Sequence, residues 1–120
     1  MTQSTIVCLE GPASWEPSGP APDRILEGQP AHRVWNAFTD AGGQFFCGRW
    51  SSSPGKWRVR YTESELCVLT AGRVTIESAT GERRSFAAGD AFVVPAGFEG
   101  TWTVHEDCEK FYAIFEPTTA

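Results

Sequence analysis

The chain has 120 residues, of which 41% are hydrophobic, with five Trp and eight Phe; that is enough for one domain with its own core and excludes a disordered chain. Its net charge of −5, with 15 acidic against 10 basic residues, argues against a phosphate-backbone partner, which needs a basic face. No apolar run reaches the ~18 residues of a membrane helix, and the N-terminus lacks the basic and apolar regions of a signal peptide.

Taken in chain order, the sequence predicts strands. Residues 5–9 read as a first strand. Residues 11–22 carry four prolines and two glycines, which predicts a wrapping loop outside any sheet. Residues 23–28 read as a single helical turn, with Asp23 as N-cap and Gly28 as stop. Strands are then expected at 32–38 and 44–50, separated by the turn 39–43, and at 57–61, where Trp57, Val59 and Tyr61 alternate with Arg58 and Arg60. Residues 65–70 and 73–78 flank Ala71-Gly72, a hairpin signal. Further strands are expected at 83–86, 91–94, 100–105 and 110–116, the last two separated by the acidic turn 106–109. Residues 1–31 form an N-terminal strand and wrapping segment, and residues 32–120 the barrel, within one structural domain. Many short strands at this spacing indicate a closed barrel or jelly roll. Cys8, Cys47, Cys67 and Cys108 have no C-x-x-C spacing, which excludes a zinc ribbon or thioredoxin-like motif and fits reduced thiols in a cytoplasmic protein.

One stretch carries more than pattern. Gly89, Pro95 and Gly97 are spaced as G-x5-P-x-G, and Asp90 can bond its own turn. Ahead of it runs Glu65-Leu66-Cys67-Val68-Leu69 with Gly72 beyond, and Trp35-Asn36, Gly48-Arg49-Trp50 and Lys110-Phe111-Tyr112 lie on either side. Together these resemble the cupin superfamily, in particular small single-domain cupins related to the cupin domain of (S)-ureidoglycine aminohydrolase. The resemblance implies an all-β, RmlC-like jelly-roll fold, a double-stranded β-helix barrel, and a homodimer. It also implies where a metal site would be. A cupin site offers imidazoles and a glutamate to a divalent ion. Here Gly100 and Val104 stand where the second motif has His and Asn. The first motif places its Glu at Glu65 and its histidines at Val59 and Tyr61, or at Tyr61 and Glu63 when counted from Gly55. Glu65 alone is a weak metal candidate, so no cofactor is expected and a divalent metal is disfavoured.

The pocket expected from this reading contains Tyr61, Glu65, Cys67, Trp102, Lys110 and Tyr112, all of inward parity. Glu65 would act as a base or as an anchor for a cationic ligand, and Trp102 and Tyr112 as stacking walls. A buried Lys110 requires a partner, which makes Glu65–Lys110 a testable pair. Cys67 reads as a buried, inert thiol, because His32 and His105 lie outside the motif strands and give it no base. A metal clip of His105, Asp107 and Cys108 is set aside in favour of a solvated turn. Arg58 and Arg60 face solvent or a partner subunit. Three functions follow. The favoured one is a module that binds a small organic ligand in an aromatic-lined pocket, with neither nucleic acid nor membrane as partner. The second is an enzyme of the ureidoglycine aminohydrolase type, or of the metal-independent epimerase type, using Glu65, Tyr61 and Lys110 as catalytic candidates. The third is an accessory dimer with a filled pocket.

Overall fold

The computed structural model describes residues 5–117. Its strands are β1 (Glu16–Gly19), β2 (Ile25–Gly28), β3 (His32–Thr39), β4 (Phe45–Ser52), β5 (Gly55–Arg60), β6 (Ser64–Ser78), β7 (Arg83–Ala87), β8 (Ala91–Val94) and β9 (Glu99–Phe115). All pairings are antiparallel and belong to one sheet. The result is the all-β jelly roll that the sequence predicts. No helix among the described residues is long and apolar enough to cross a membrane.

Two long strands organise the rest. β6 and β9 pair along almost their whole lengths, from Ser64 opposite Phe115 to Ser78 opposite Gly100. On its other edge β9 holds β4 with its C-terminal half and β5 with its N-terminal half. The outer edge of β6 divides in the same way, between β8 and then β7. The sheet therefore has two walls, β1-β3-β4-β9-β6-β8 and β2-β5-β9-β6-β7, joined through the same two strands. A bend in those strands turns the walls toward each other, so that Trp50 of one wall lies 5.8 Å, ring to ring, from Trp102 of the other.

The bend falls where the sequence suggests turns. Register shifts separate Leu69, Ala71, Arg73 and Val74 in β6. Buried positions change parity there, from Glu65, Cys67 and Leu69 to Val74 and Ile76. Gly72, at φ +85°, allows this; a Cβ at that position would meet the Asp107 carbonyl and come within 2.7 Å of the Cys108 Cα. The expected Ala71-Gly72 hairpin is therefore replaced by a bulged bend inside one strand. Residues 106–109 are likewise strand and not an acidic turn.

The N-terminal region departs further from expectation. Residues 5–9 form no strand. Within 11–22, β1 pairs with β3 despite Pro17, as an edge strand can, because a missing N–H on the open edge costs no ladder bond. Residues 23–28 divide into a short 3-10 turn, Pro22–Arg24, without a side-chain cap from Asp23, and β2, which pairs with β5. Elsewhere the turn chemistry is as read: Asp90 Oδ2 accepts the Ala87 N–H at 2.8 Å.

The core lies between the walls. Trp57, Cys67, Leu69, Val74, Ile76, Val94, Trp102, Val104 and Cys108 form its buried cluster. The interior is not filled to the end occupied by Glu65 and Tyr112, and that end holds the site.

Candidate functional site

A cavity of about 510 Å³ opens between the walls, a size typical of small-molecule sites. β5 and β9 supply Trp57 and Trp102, which stack with ring centroids 6.2 Å apart. β4 supplies Trp50, and β3 supplies His32 and Asn36. The alternation of each strand turns these side chains inward: Trp50 is opposite Lys110, and Trp57 is opposite Trp102, in the β9 ladder.

A buried ion pair lies in the wall of this cavity. Lys110 Nζ is 2.9 Å from Glu65 Oε2, and both side chains are almost wholly enclosed. The lysine reaches along the inner face from its place opposite Leu69 and passes Cys67, to whose Sγ it donates at 3.4 Å. Tyr61 Oη donates to the other carboxylate oxygen, Oε1, at 3.0 Å. The ammonium also lies 4.4 Å from the Trp102 ring centre and 4.6 Å from that of Trp50, in cation–π range. Burial, the largest influence, would by itself depress the Lys110 pKa; the charge of Glu65, then Cys67, and the hydrogen bonds to both together outweigh it and raise it from 10.5 to about 12. Lys110 therefore stays charged at neutral pH. Tyr61 is pushed well above its usual range by burial and by the negative charge of Glu65. Burial lifts the Cys67 thiol to about 12, even with Lys110 beside it, so this sulfur is a poor nucleophile.

His32 completes the aromatic box, with ring centroids 4.8 Å from Trp50 and 4.4 Å from Trp57. Burial, and then the positive charge of Lys110, lower its pKa from 6.5 to about 4; it is neutral at pH 7. Two buried polar atoms of the cavity lining, His32 Nε2 and Trp102 Nε1, have no hydrogen-bond partner among the described residues. Such orphans are rare in folded proteins and call for a reason. At the far side Tyr112 Oη donates to Asn36 Oδ1 at 2.7 Å.

A cupin metal ion does not fit this donor set. Glu65 already has an ammonium on one oxygen and a phenol on the other. Among the described residues, no three His, Cys, Asp or Glu side chains form a group able to hold a metal. At Gly100, between Val59 of β5 and Ser78 of β6, a Cβ would run into the Glu77 carbonyl and come within 2.9 Å of the Ser78 Cα. The backbone itself fills the space through which a ligating histidine would have to extend. The place of a divalent cation beside the glutamate is taken by the chain's own ammonium.

The structure thus brings Tyr61, Glu65, Trp102, Lys110 and Tyr112 to one cavity, with Cys67 buried beside Lys110. Glu63 is on the cavity rim, apart from the ion pair. His105 bonds Thr75 Oγ1 at 2.7 Å, and Cys108 is buried in the core on the opposite strand face, its thiol raised to about 11 by burial. Sequence reasoning missed three parts of the wall. It put His32 away from the site, whereas β3 brings the ring between Trp50 and Trp57. It left Trp50 and Trp57 unassigned, although Trp57 shares the parity of Tyr61. It turned Arg58 and Arg60 to solvent or a partner; both are exposed, and what it did not foresee is that they also border the cavity mouth beside Arg24.

Comparison with known proteins is consistent with this architecture. Residues 39–112 match the EutQ-like cupin domain. Among solved structures, a DUF861-family protein of unknown function from Pseudomonas syringae pv. tomato superposes with a TM-score of 0.78 at 30% identity, over 85% of this chain and 44% of that one. A DUF861-family protein from Thermotoga maritima gives 0.52 at 25% identity, over 53% of this chain and 73% of that one. The EutQ protein of Clostridium difficile gives 0.65 at 16% identity, over 72% and 64%, a likeness of fold alone. This chain therefore spans less than half the length of the Pseudomonas protein. No curated protein matches it. The matched profile, covering more than half of the sequence, and the shared jelly roll make this chain a member of the EutQ-like cupin domain family.

Proposed function

We propose that this cupin binds a small organic molecule in its barrel cavity and uses Lys110, in place of a metal ion, to neutralise the glutamate of the fold. One observation carries the reading: a cavity of about 510 Å³ remains open against three tryptophans and the Glu65–Lys110 pair. A barrel filled by its own side chains would leave no such space, so the reading as an accessory protein with a filled pocket loses its basis. An ureidoglycine aminohydrolase-like reaction would need ligands that Val59, Tyr61 and Gly100 do not supply. A metal-independent acid–base role retains one feature in its favour, the hydrogen-bonded series Tyr61–Glu65–Lys110. In that series Tyr61 and Lys110 both hold their protons firmly, so only Glu65 could accept one.

A thermal-shift screen of ureides, amino acids, polyamines, sugars and carboxylic acids tests the proposal. A ligand at one hundred times its dissociation constant adds about 2.7 kcal/mol and raises Tm accordingly. The hit should change the tryptophan emission, because Trp50, Trp57 and Trp102 all line the cavity. Val34 of β3 also lines the cavity; a screen without hits, or hits whose stabilisation persists unchanged when the cavity is blocked by Val34→Trp, would end the proposal.

A further inference from the structure

The charge around the cavity points to the class of molecule, an inference that rests on the ligand-binding reading. The chain is acidic overall, at −5, yet its cavity is not. Arg24, Arg58, Arg60 and Lys110 border it, against Glu63 and Glu65, four positive groups to two negative. Lys110 is matched by Glu65. The three guanidiniums are not matched: among the described residues, none of them makes a salt bridge or a side-chain hydrogen bond. Glu99 is opposite Arg60 in the β5–β9 ladder, but no ion pair forms between them. Carboxylates pair with Arg49, Lys56 and Arg73 elsewhere on the surface; Arg33, Arg83 and Arg84 also lack a salt bridge among the described residues, but Arg24, Arg58 and Arg60 are the three that gather around one cavity. Arginine presents a planar fork that matches a carboxylate or phosphate.

The interior adds a second, independent observation. The Trp102 indole is almost fully buried, and its Nε1–H has no acceptor among the described residues. An indole N–H can only donate, so whatever satisfies it must bring an acceptor. His32 Nε2 is equally without a partner and, on a neutral ring, can donate or accept. A cationic ligand would find the aromatic box already holding the Lys110 ammonium, and three like charges at the entrance.

We infer that the pocket takes a small, flat organic anion. Its acidic group is held at the arginine rim, its body lies along the tryptophan wall, and, once neighbouring side chains give way to open the enclosed nitrogen, a carbonyl or carboxylate oxygen reaches the Trp102 indole N–H. Electrostatic focusing by the rim would also attract such a molecule toward an otherwise repelling surface.

The test measures binding by calorimetry and by tryptophan fluorescence, with benzoate, hippurate and N-carbamoylglycine as probes. Each is compared with its uncharged amide, and benzylamine serves as the cation. At least one acid should bind about tenfold or more tightly than its amide and weaken as salt rises from about 50 to about 500 mM. The exposed double variant Arg58→Gln/Arg60→Gln should keep the wild-type Tm and lose about tenfold in affinity for the acid. Trp102→Phe, which keeps a ring but removes the donor, should weaken the acid more than it weakens the amide of the same body. Equal or tighter binding of the amides or of benzylamine would overturn the inference while leaving a ligand pocket in place. Unchanged acid affinity in the arginine variant would do the same. Failure of every acid, amide and amine, together with a silent wider screen, would remove both the inference and the reading beneath it.

Discussion

Lys110 and Glu65 depend on one another more than any other pair in the molecule. Each is nearly excluded from water, and an ion taken out of water costs several kcal/mol unless its partner stays in place. Lys110→Met keeps the length of the side chain but leaves a buried carboxylate with only the Tyr61 phenol. Glu65→Gln keeps the shape but leaves the ammonium without its counter-charge, facing at best a neutral amide oxygen beside Cys67 and two indole faces. Each single change should lower unfolding stability by about 3 kcal/mol. The double variant should cost clearly less than the sum, since it removes both charges together. Denaturant midpoints of the four proteins measure this. Additive losses of about 1 kcal/mol or less each would mean that water reaches the pair and that it does not shape the cavity.

At the level of strands, the bend in β6 decides whether the two walls face each other. Gly72 combines a positive φ with a backbone contact to Asp107 and Cys108, so alanine there meets both conformational strain and a clash. Gly72→Ala should cost about 3 kcal/mol, or roughly 10 °C in Tm for a domain of this size, by calorimetry or denaturant titration; a loss of a few tenths would show that the bend does not need glycine. The same residue shows what could and could not be read in advance. Alternating apolar positions and Gly/Pro punctuation place β3 to β5, β7 and β8 within a residue or two, because half-buried strands repeat with period two. Ala71-Gly72 and residues 106–109 look like turns in sequence because a bulged bend uses the same residues as a hairpin turn. What separates them is whether the chain reverses or continues, and here the pairing partner β9, some thirty residues away in sequence, keeps β6 running. β1 and β2 were hidden for a related reason: edge strands tolerate proline and owe their form to the neighbour they pair with.

The whole molecule carries the part of the site that no local pattern contains. The parity of Glu65, Trp102, Lys110 and Tyr112 was legible because each lies in a strand, and Tyr61 continues the alternation of β5 one residue past its end. His32, Trp50 and Trp57 meet only when β3, β4 and β5 close over the other wall, and nothing near His32 in sequence marks it for burial. Closure has a consequence in solution. Unfolded, His32 titrates near 6.5; folded, between two indoles and near Lys110, it titrates near 4. Between these values the unfolded chain binds the additional proton, so stability falls as pH drops from about 6.5 toward about 4. Above that window the ring is neutral in both states and adds no slope, and Lys110 stays charged throughout it. Surface carboxylates also lose interactions in acid, so the informative quantity is a difference. His32→Gln, which keeps a polar planar group without the proton site, should be less stable than wild type at neutral pH but lose less on acidification, by on the order of 2 kcal/mol across the window. Urea titrations of both proteins at several pH values give the two curves. If they run parallel, the imidazole is reached by water in the folded state, and the box it forms with Trp50 and Trp57 is open at that end.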